Sequence, residues 1–274
     1  MKKKELLETL EGLGFFPGKL LGQNFLIDEN MLDYIVRATN ITPGENVLEV
    51  GPGFGVLTRR ILKAGGKVTA VEFDHRICEY LRNEIKDENF TLIEGDACRV
   101  DFEEILGENC DFRSIANLPY SVSTPFLAKL LRLSQPPKEM IFMLQKEMGM
   151  RLAANIGTKN YGGLSVRTQA LYDVKILKKV PPQVFHPEPG VDSAVVQFVL
   201  KSQPLKLEIR ELFENLIKTA FTQRRKIMLK QVYRNFDKDK ILSVYEELGI
   251  NSNTRAEQLS PETFVAFAEC LSKK

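Results

Sequence analysis

The stretch Glu49-Val50-Gly51-Pro52-Gly53-Phe54-Gly55-Val56-Leu57-Thr58 decides the fold. Residues 46–50 (NVLEV) form an apolar run of strand length, three glycines follow at alternate positions, and a helix-like segment comes next. Glycine lets backbone approach a ligand closely, and a helix opening straight after it aims free N–H groups at that ligand. A dinucleotide fingerprint, GxGxxG, requires glycine at position 56, where this chain has Val56 and spells GxGxG instead. Together with the lack of a plausible acid for a hydride site, this disfavours a nicotinamide oxidoreductase.

Outward from that junction, residues 67–73 (KVTAVEF), 90–94 (FTLIE), 113–118 (RSIANL) and 139–144 (EMIFML) read as strands rich in buried apolar residues. Between them lie stretches such as 74–86, with Ile77, Leu81 and Ile85 on one helical face. Strand and helix in alternation predict an α/β fold with a parallel sheet covered on both faces. Residues 173–180 and 193–200 (SAVVQFVL) are strand-like with no long helix between them, so an antiparallel end to the sheet is expected. After Gln203-Pro204 the character changes: Ile209, Leu212, Phe213, Leu216, Ile217 and Ala220 keep helical spacing, and Thr254-Arg-Ala-Glu257 and Ser260-Pro261-Glu262 look like helix starts. The expected organisation is an N-terminal arm at 1–19, a Rossmann-like domain at 20–203 and a small helical domain at 204–274.

Composition narrows the classes. The 274 residues, 43% hydrophobic and 27% charged, suit one large domain with a smaller partner and argue against disorder or low complexity. Apolar runs stay short of a membrane span, and Glu5 and Glu8 interrupt the basic start before any signal-peptide core, so a cytoplasmic protein without a membrane partner is expected. Four scattered cysteines without a CxxC pair, and only His75 and His186 as histidines, give no disulfide framework and no metal site. Net charge is only +2, but residues 218–234 carry six basic and no acidic residues, and residues 148–172 carry Arg151, Lys159 and Arg167 with none. One such run is commonly a solvated face. Two of them point toward nucleic acid, because phosphate neutralisation needs local positive charge.

An acidic residue before GxGxG resembles motif I of class I S-adenosyl-L-methionine-dependent methyltransferases. Glu72 ends the next strand about 20 residues after Gly51, where one βαβ step sets a carboxylate to accept from ribose hydroxyls. Asp96, in Glu94-Gly95-Asp96-Ala97, falls on the same rim, where it can accept from an adenine amine. Asn117-Leu118-Pro119-Tyr120 closes the fourth strand. An exocyclic adenine amine is a poor nucleophile, so a catalyst must accept its hydrogens and hold it in line with the sulfonium methyl. Asn117 offers a side-chain carbonyl, Leu118 a backbone carbonyl kept extended by the proline, and Tyr120 a ring for an extruded base to stack on.

These residues, in this order, resemble the KsgA-type ribosomal RNA adenine dimethyltransferases and their relatives, the erythromycin-resistance methyltransferases. The resemblance runs from Gly22-Gln23-Asn24-Phe25-Leu26, similar to a motif lying over the cofactor, through the segments above. It continues with Met143-Leu-Gln145-Lys146-Glu147, Tyr161-Gly-Gly-Leu-Ser165 and Val184-Phe185-His186-Pro187, the last resembling a loop whose phenylalanine closes on the target base. Ala220-Phe221-Thr222-Gln223-Arg224-Arg225-Lys226 resembles the family's basic helix. One departure is Gly190, where many members have lysine. The resemblance implies cofactor contacts at Asn24, Leu26, Gly51, Glu72, Asp96 and Asn117, target-base contacts at Asn117, Leu118, Tyr120 and Phe185, and RNA contacts at Arg224, Arg225 and Lys226. It implies S-adenosyl-L-methionine as cofactor, and a monomer is expected. The implied activity is dimethylation at N6 of two adjacent adenosines in a hairpin loop near the 3′ end of small-subunit (16S) ribosomal RNA, free or in a pre-assembled small subunit. The alternatives are a large-subunit resistance-type methyltransferase, over which the C-terminal domain with its TQRRK helix favours the small-subunit reading, and a non-catalytic RNA-binding factor, against which the intact motifs argue.

Overall fold

In the computed structural model, residues 3–16, 23–107 and 110–273 are described, with 120 and 121 by their backbone alone. The chain forms two compact units, one of residues 1–149 and 175–199, the other of 150–174 and 200–274.

The first unit is built on the expected sheet. Strands β1 (Phe25–Leu26), β2 (Asn46–Val50), β3 (Lys67–Glu72), β4 (Phe90–Glu94), β5 (Phe112–Asn117), β6 (Glu139–Gln145), β7 (Tyr172–Val180), β8 (Phe185–His186) and β9 (Ser193–Leu200) follow in chain order. Seven of them lie in the order β4-β3-β2-β5-β6-β9-β7. From β4 across to β6 the pairs are parallel, and β6 meets β9 antiparallel, as the missing helix before residue 193 predicts. Burial explains the strand sequences. The interior β6 is buried at six of its seven positions and is apolar without a break from Met140 to Leu144, whereas the edge strand β4 has no buried position. Because β3 and β5 flank β2 on opposite sides, the chain reverses its winding there, and a crevice opens beyond the carboxyl ends of β2 and β5.

Helix α2 (Glu29–Thr39) starts where Asp28 accepts from the Met31 N–H at 2.7 Å, and it buries Met31, Leu32 and Ile35 on one face. Helix α3 (Val56–Lys63) follows the glycine turn, α4 (His75–Glu84) is capped by Asp74, within the range 74–86 read from sequence, and α5 (Phe102–Leu106), α6 (Tyr120–Leu130) and α7 (Lys146–Leu152) follow in chain order. The segment expected as an arm is instead part of this unit: α1 (Lys3–Gly12) buries Leu6 and Leu10, which, with Phe15, pack with Phe54, Ile77 and Leu81. The cause is an apolar i, i+4 pair, which only burial stabilises in so short a helix.

The second unit is helical. Helices α8 (Gly163–Gln169), α9 (Arg210–Ala220) and α12 (Pro261–Lys273) pack together around buried Phe213, Leu216, Ile217, Phe264 and Phe267, and α11 (Lys238–Glu247) packs on α12. Helix α12 opens at Ser260, whose hydroxyl accepts from the Thr263 N–H at 3.0 Å. Residues 150–174 join this unit although the expected boundary lay at 203, because α8 packs against α9 and α12 and Arg167 pairs with Glu214 at 2.7 Å. No helix among the described residues is long and apolar enough to cross a membrane.

Candidate active site

The crevice beyond β2 and β5 is a cleft of about 290 Å³. Its floor is the glycine turn. Gly51 (φ +68°) and Gly53 (φ +54°) adopt left-handed conformations that L side chains rarely hold, and a Cβ on Gly53 would stand 3.2 Å from the Phe25 ring. A Cβ on Gly51 would lie 3.9 Å from the Asn117 carbonyl, so the ends of β2 and β5 approach closely. A short strap covers the turn. Its strand β1 pairs with β8, setting Leu26 opposite Phe185 and Phe25 opposite His186. Asn24 and Leu26 both line the cleft, as the resemblance implies; Gly22 lies outside the described residues.

Besides Asp74, which caps α4 and pairs with Arg76, three carboxylates line this cleft at or just past strand ends. Glu72 is only 8% exposed. Its Oε1 accepts from the N–H groups of Phe73 (2.8 Å) and Asp74 (3.0 Å), and its Oε2 from that of Gly53 (3.4 Å). Burial raises its pKa, with those N–H bonds pulling it back. The long single bond at Oε2 leaves room there for ligand hydroxyls. Asp96 stands on the rim after β4, turned by a 2.8 Å bond from the Cys98 N–H to its Oδ1, with Arg99 at 3.5 Å from Oδ2. Glu49 is the third, and sequence reasoning assigned it no role beyond preceding the glycines. It is 1% exposed and accepts a 2.7 Å bond from the Thr58 hydroxyl. Burial pushes its pKa up to about 8, the Thr58 bond opposing and the charge of Glu72 adding. Its signal in sequence is the position alone, one carboxylate inside the run NVLEV.

At the end of β5, the Asn117 side chain donates from Nδ2 to the Asn24 carbonyl at 3.0 Å. That bond fixes the amide's orientation and leaves Oδ1 without a partner among the described residues. Leu118 is buried and lines the cleft, and Pro119 follows as the cap of α6 (Tyr120–Leu130). The Tyr120 side chain lies outside the described residues. Phe185 is 2% exposed and packs in the same core as Leu26, so it forms cleft wall within a strand pair, where the resemblance implies a loop closing on the target base. Further along that segment, Asp192 accepts from Lys146, both backbone to backbone (2.9 Å) and through an ion pair (2.8 Å).

In the second unit the expected basic helix is a turn. Helix α9 ends at Ala220, and residues 221–226 turn before α10 (Met228–Val232). Arg225 and Lys226 are exposed there. Arg224 is drawn inward: Nε meets Glu257 Oε2 at 2.5 Å, Nη1 donates to the Lys159 carbonyl at 2.6 Å and Nη2 to the Thr158 carbonyl at 3.0 Å. Three bonds from one guanidinium to fixed acceptors hold the turn more firmly than a helical i→i−4 continuation through Gln223 would. Among the described residues no cluster of three His, Cys, Asp or Glu could hold a metal ion.

Residues 18–273 match the model of the family described as ribosomal RNA adenine dimethylase. The chain is 40% identical over 267 residues to the ribosomal RNA small subunit methyltransferase A of Clostridium acetobutylicum, covering 96% of this chain and 97% of that protein. It is 38% identical to the protein of the same name from Bacillus licheniformis, covering 96% and 94%. A crystal structure of a dimethyladenosine transferase from Plasmodium falciparum superposes with a TM-score of 0.74 at 27% identity, covering 89% of this chain and 95% of that one. The 23S rRNA methyltransferase ErmE, at 23% identity and a TM-score of 0.70, shares the fold.

Proposed function

From the premise that this chain belongs to the ribosomal RNA adenine dimethylases, a family of S-adenosyl-L-methionine-dependent methyltransferases, we propose that it dimethylates N6 of two adjacent adenosines in a hairpin loop near the 3′ end of small-subunit ribosomal RNA. The observation that carries this reading is the Asn117 amide, fixed by Asn24 with its Oδ1 unpartnered beside the glycine turn.

The residues present fit the cofactor. Glu72 has acceptor capacity for a ribose diol, Asp96 for an adenine amine, and the left-handed glycines bring bare backbone to the cleft floor. The cofactor supplies an electrophilic methyl on a sulfonium. The chain supplies placement: the Asn117 Oδ1 and the Leu118 carbonyl accept the two hydrogens of the adenine amine and turn its lone pair toward the methyl. Phe185, as cleft wall, gives the base an apolar face, and by the family resemblance Tyr120 also contacts the base. The methylated amine becomes acidic and loses its proton to water, so no charged base is required. A monomethylated amine keeps one hydrogen for Asn117, which lets the same pocket serve a second round. Exposed Arg225 and Lys226 contact RNA phosphates. The protein acts as a monomer in the cytoplasm, on the pre-assembled small subunit or its RNA.

Tritiated methyl transfer to under-methylated small and large ribosomal subunits, with the labelled nucleotides mapped, tests the proposal. Label on two neighbouring adenosines of the small-subunit RNA is expected. Label confined to large-subunit RNA would replace it with the resistance-type activity.

A further inference from the structure

The second unit joins the two acid-free stretches of the sequence at one residue. Residues 148–172 and 218–234 are far apart along the chain, yet Arg224 from the second bonds to the carbonyls of Thr158 and Lys159 in the first. Its Nε meets Glu257, whose own carbonyl accepts from the Gly157 N–H at 3.0 Å. Thr158 also accepts from the Tyr161 N–H at 3.1 Å, and the Tyr161 hydroxyl donates to the Leu259 carbonyl at 2.8 Å. The loop 155–160 is therefore held at several points, and the Arg224 fork ties it to the 221–226 turn. Each of the three guanidinium nitrogens already donates, and Glu257 neutralises the charge. What remains facing solvent is different: Lys159, Arg225 and Lys226 are all exposed, and Lys159 lies one arginine side chain's length from the turn that carries the other two.

Resting on the RNA-binding reading above, we propose that Arg224 is a positioning residue and that Lys159, presented by it beside Arg225 and Lys226, contacts RNA phosphate. An arginine is needed for this joint because only a planar fork reaches a carboxylate and two carbonyls at once; a lysine keeps the charge and loses the geometry. Arg224 therefore acts through Lys159 and contributes no counterion release of its own.

Filter binding of the full chain to under-methylated small ribosomal subunits over a salt series tests this, with S-adenosyl-L-methionine affinity and thermal midpoint confirming that each variant is folded. Lys159→Gln should flatten the dependence of log K on log salt by about 0.7 to 0.9, roughly a fivefold loss near physiological salt. Arg224→Lys should weaken binding as much as Arg224→Gln, raise hydrogen exchange across 155–160, and add little to the loss in a double variant with Lys159→Gln. Glu257→Gln, which leaves every exposed cation in place, should act in the same direction. Wild-type binding and unchanged exchange in Arg224→Lys would overturn the joint, as would a Lys159→Gln slope parallel to wild type. If Arg225→Gln and Lys226→Gln still flatten the slope in that case, only this proposal falls; if they do not, the RNA-binding reading of the whole surface falls with it.

Discussion

Replacing Glu49 by glutamine should stabilise the protein more at neutral pH than in mild acid. Glu49 is 1% exposed, and burial beneath the glycine turn pushes its pKa to about 8 from an ordinary 4.5. A carboxyl whose folded pKa is raised binds its proton more tightly in the native chain than in the unfolded one. Its favourable contribution is complete below the unfolded value of 4.5 and is lost as pH rises toward 8. Between about pH 5.5 and about pH 7.5 the native chain keeps this proton while the unfolded chain has shed it, which at ~1.36 kcal/mol per pH unit amounts to about 2 to 3 kcal/mol. Glutamine has nearly the same shape, its carbonyl can still accept from the Thr58 hydroxyl, and it does not titrate. The comparison of Glu49→Gln with wild type therefore cancels every other titrating group. Thermal unfolding without cofactor at the two pH values reads the effect: the midpoint difference should move in the variant's favour by about 5 to 10 °C, from roughly 2 to 4 °C per kcal/mol for a unit of this size. The reasoning fails if that difference is the same at both pH values, because Glu49 would then be ionised in the native state.

Glu72→Ala should weaken S-adenosyl-L-methionine binding by ~1.5 to 3 kcal/mol, the range for hydrogen bonds to a charged group, and calorimetry on the folded variant showing unchanged affinity would remove Glu72 from the cofactor site. Asn117→Ala is expected to depress single-turnover methylation far more than RNA affinity, since its carbonyl acts on the amine mainly in the transition state; equal losses in both would make it structural. Gly53→Ala, which forces a Cβ to 3.2 Å from the Phe25 ring at φ +54°, should cost about 1 to 2 kcal/mol of stability in denaturant titration and lower cofactor affinity by shifting the strap, whereas Gly249→Ala, at φ +62° with no atom within 4 Å, isolates the conformational part alone.

Much of the site could be read in the sequence, and topology explains why. Gly51, Glu72, Asp96 and Asn117 each sit at or just past the carboxyl end of a parallel strand. Parallel strands linked by crossovers must all end on one rim, so strand-length apolar runs alone bring these four residues to one cleft. The antiparallel β9 was legible for the complementary reason, since residues 180–193 hold no helix long enough for a parallel crossover.

What stayed hidden depends on pairs far apart in the chain. The bond that orients Asn117 runs to Asn24, 93 residues away, whose backbone carbonyl accepts it, so the Asn24 side-chain identity carries no signal. Likewise the partners of Arg224 are carbonyls 65 and 66 residues away, so a basic run that reads as a solvated, phosphate-facing helix turns one of its three cations inward. Composition counts charges but is blind to which of them already have acceptors. Glu49 shows the same limit from the other side: it stands in the quoted stretch from the start, and only the packing around it turns an ordinary acid into a proton held until about pH 8. Residue type and spacing therefore fix where the chemistry gathers, while long-range hydrogen bonds decide which of the gathered groups remain free to act on a ligand.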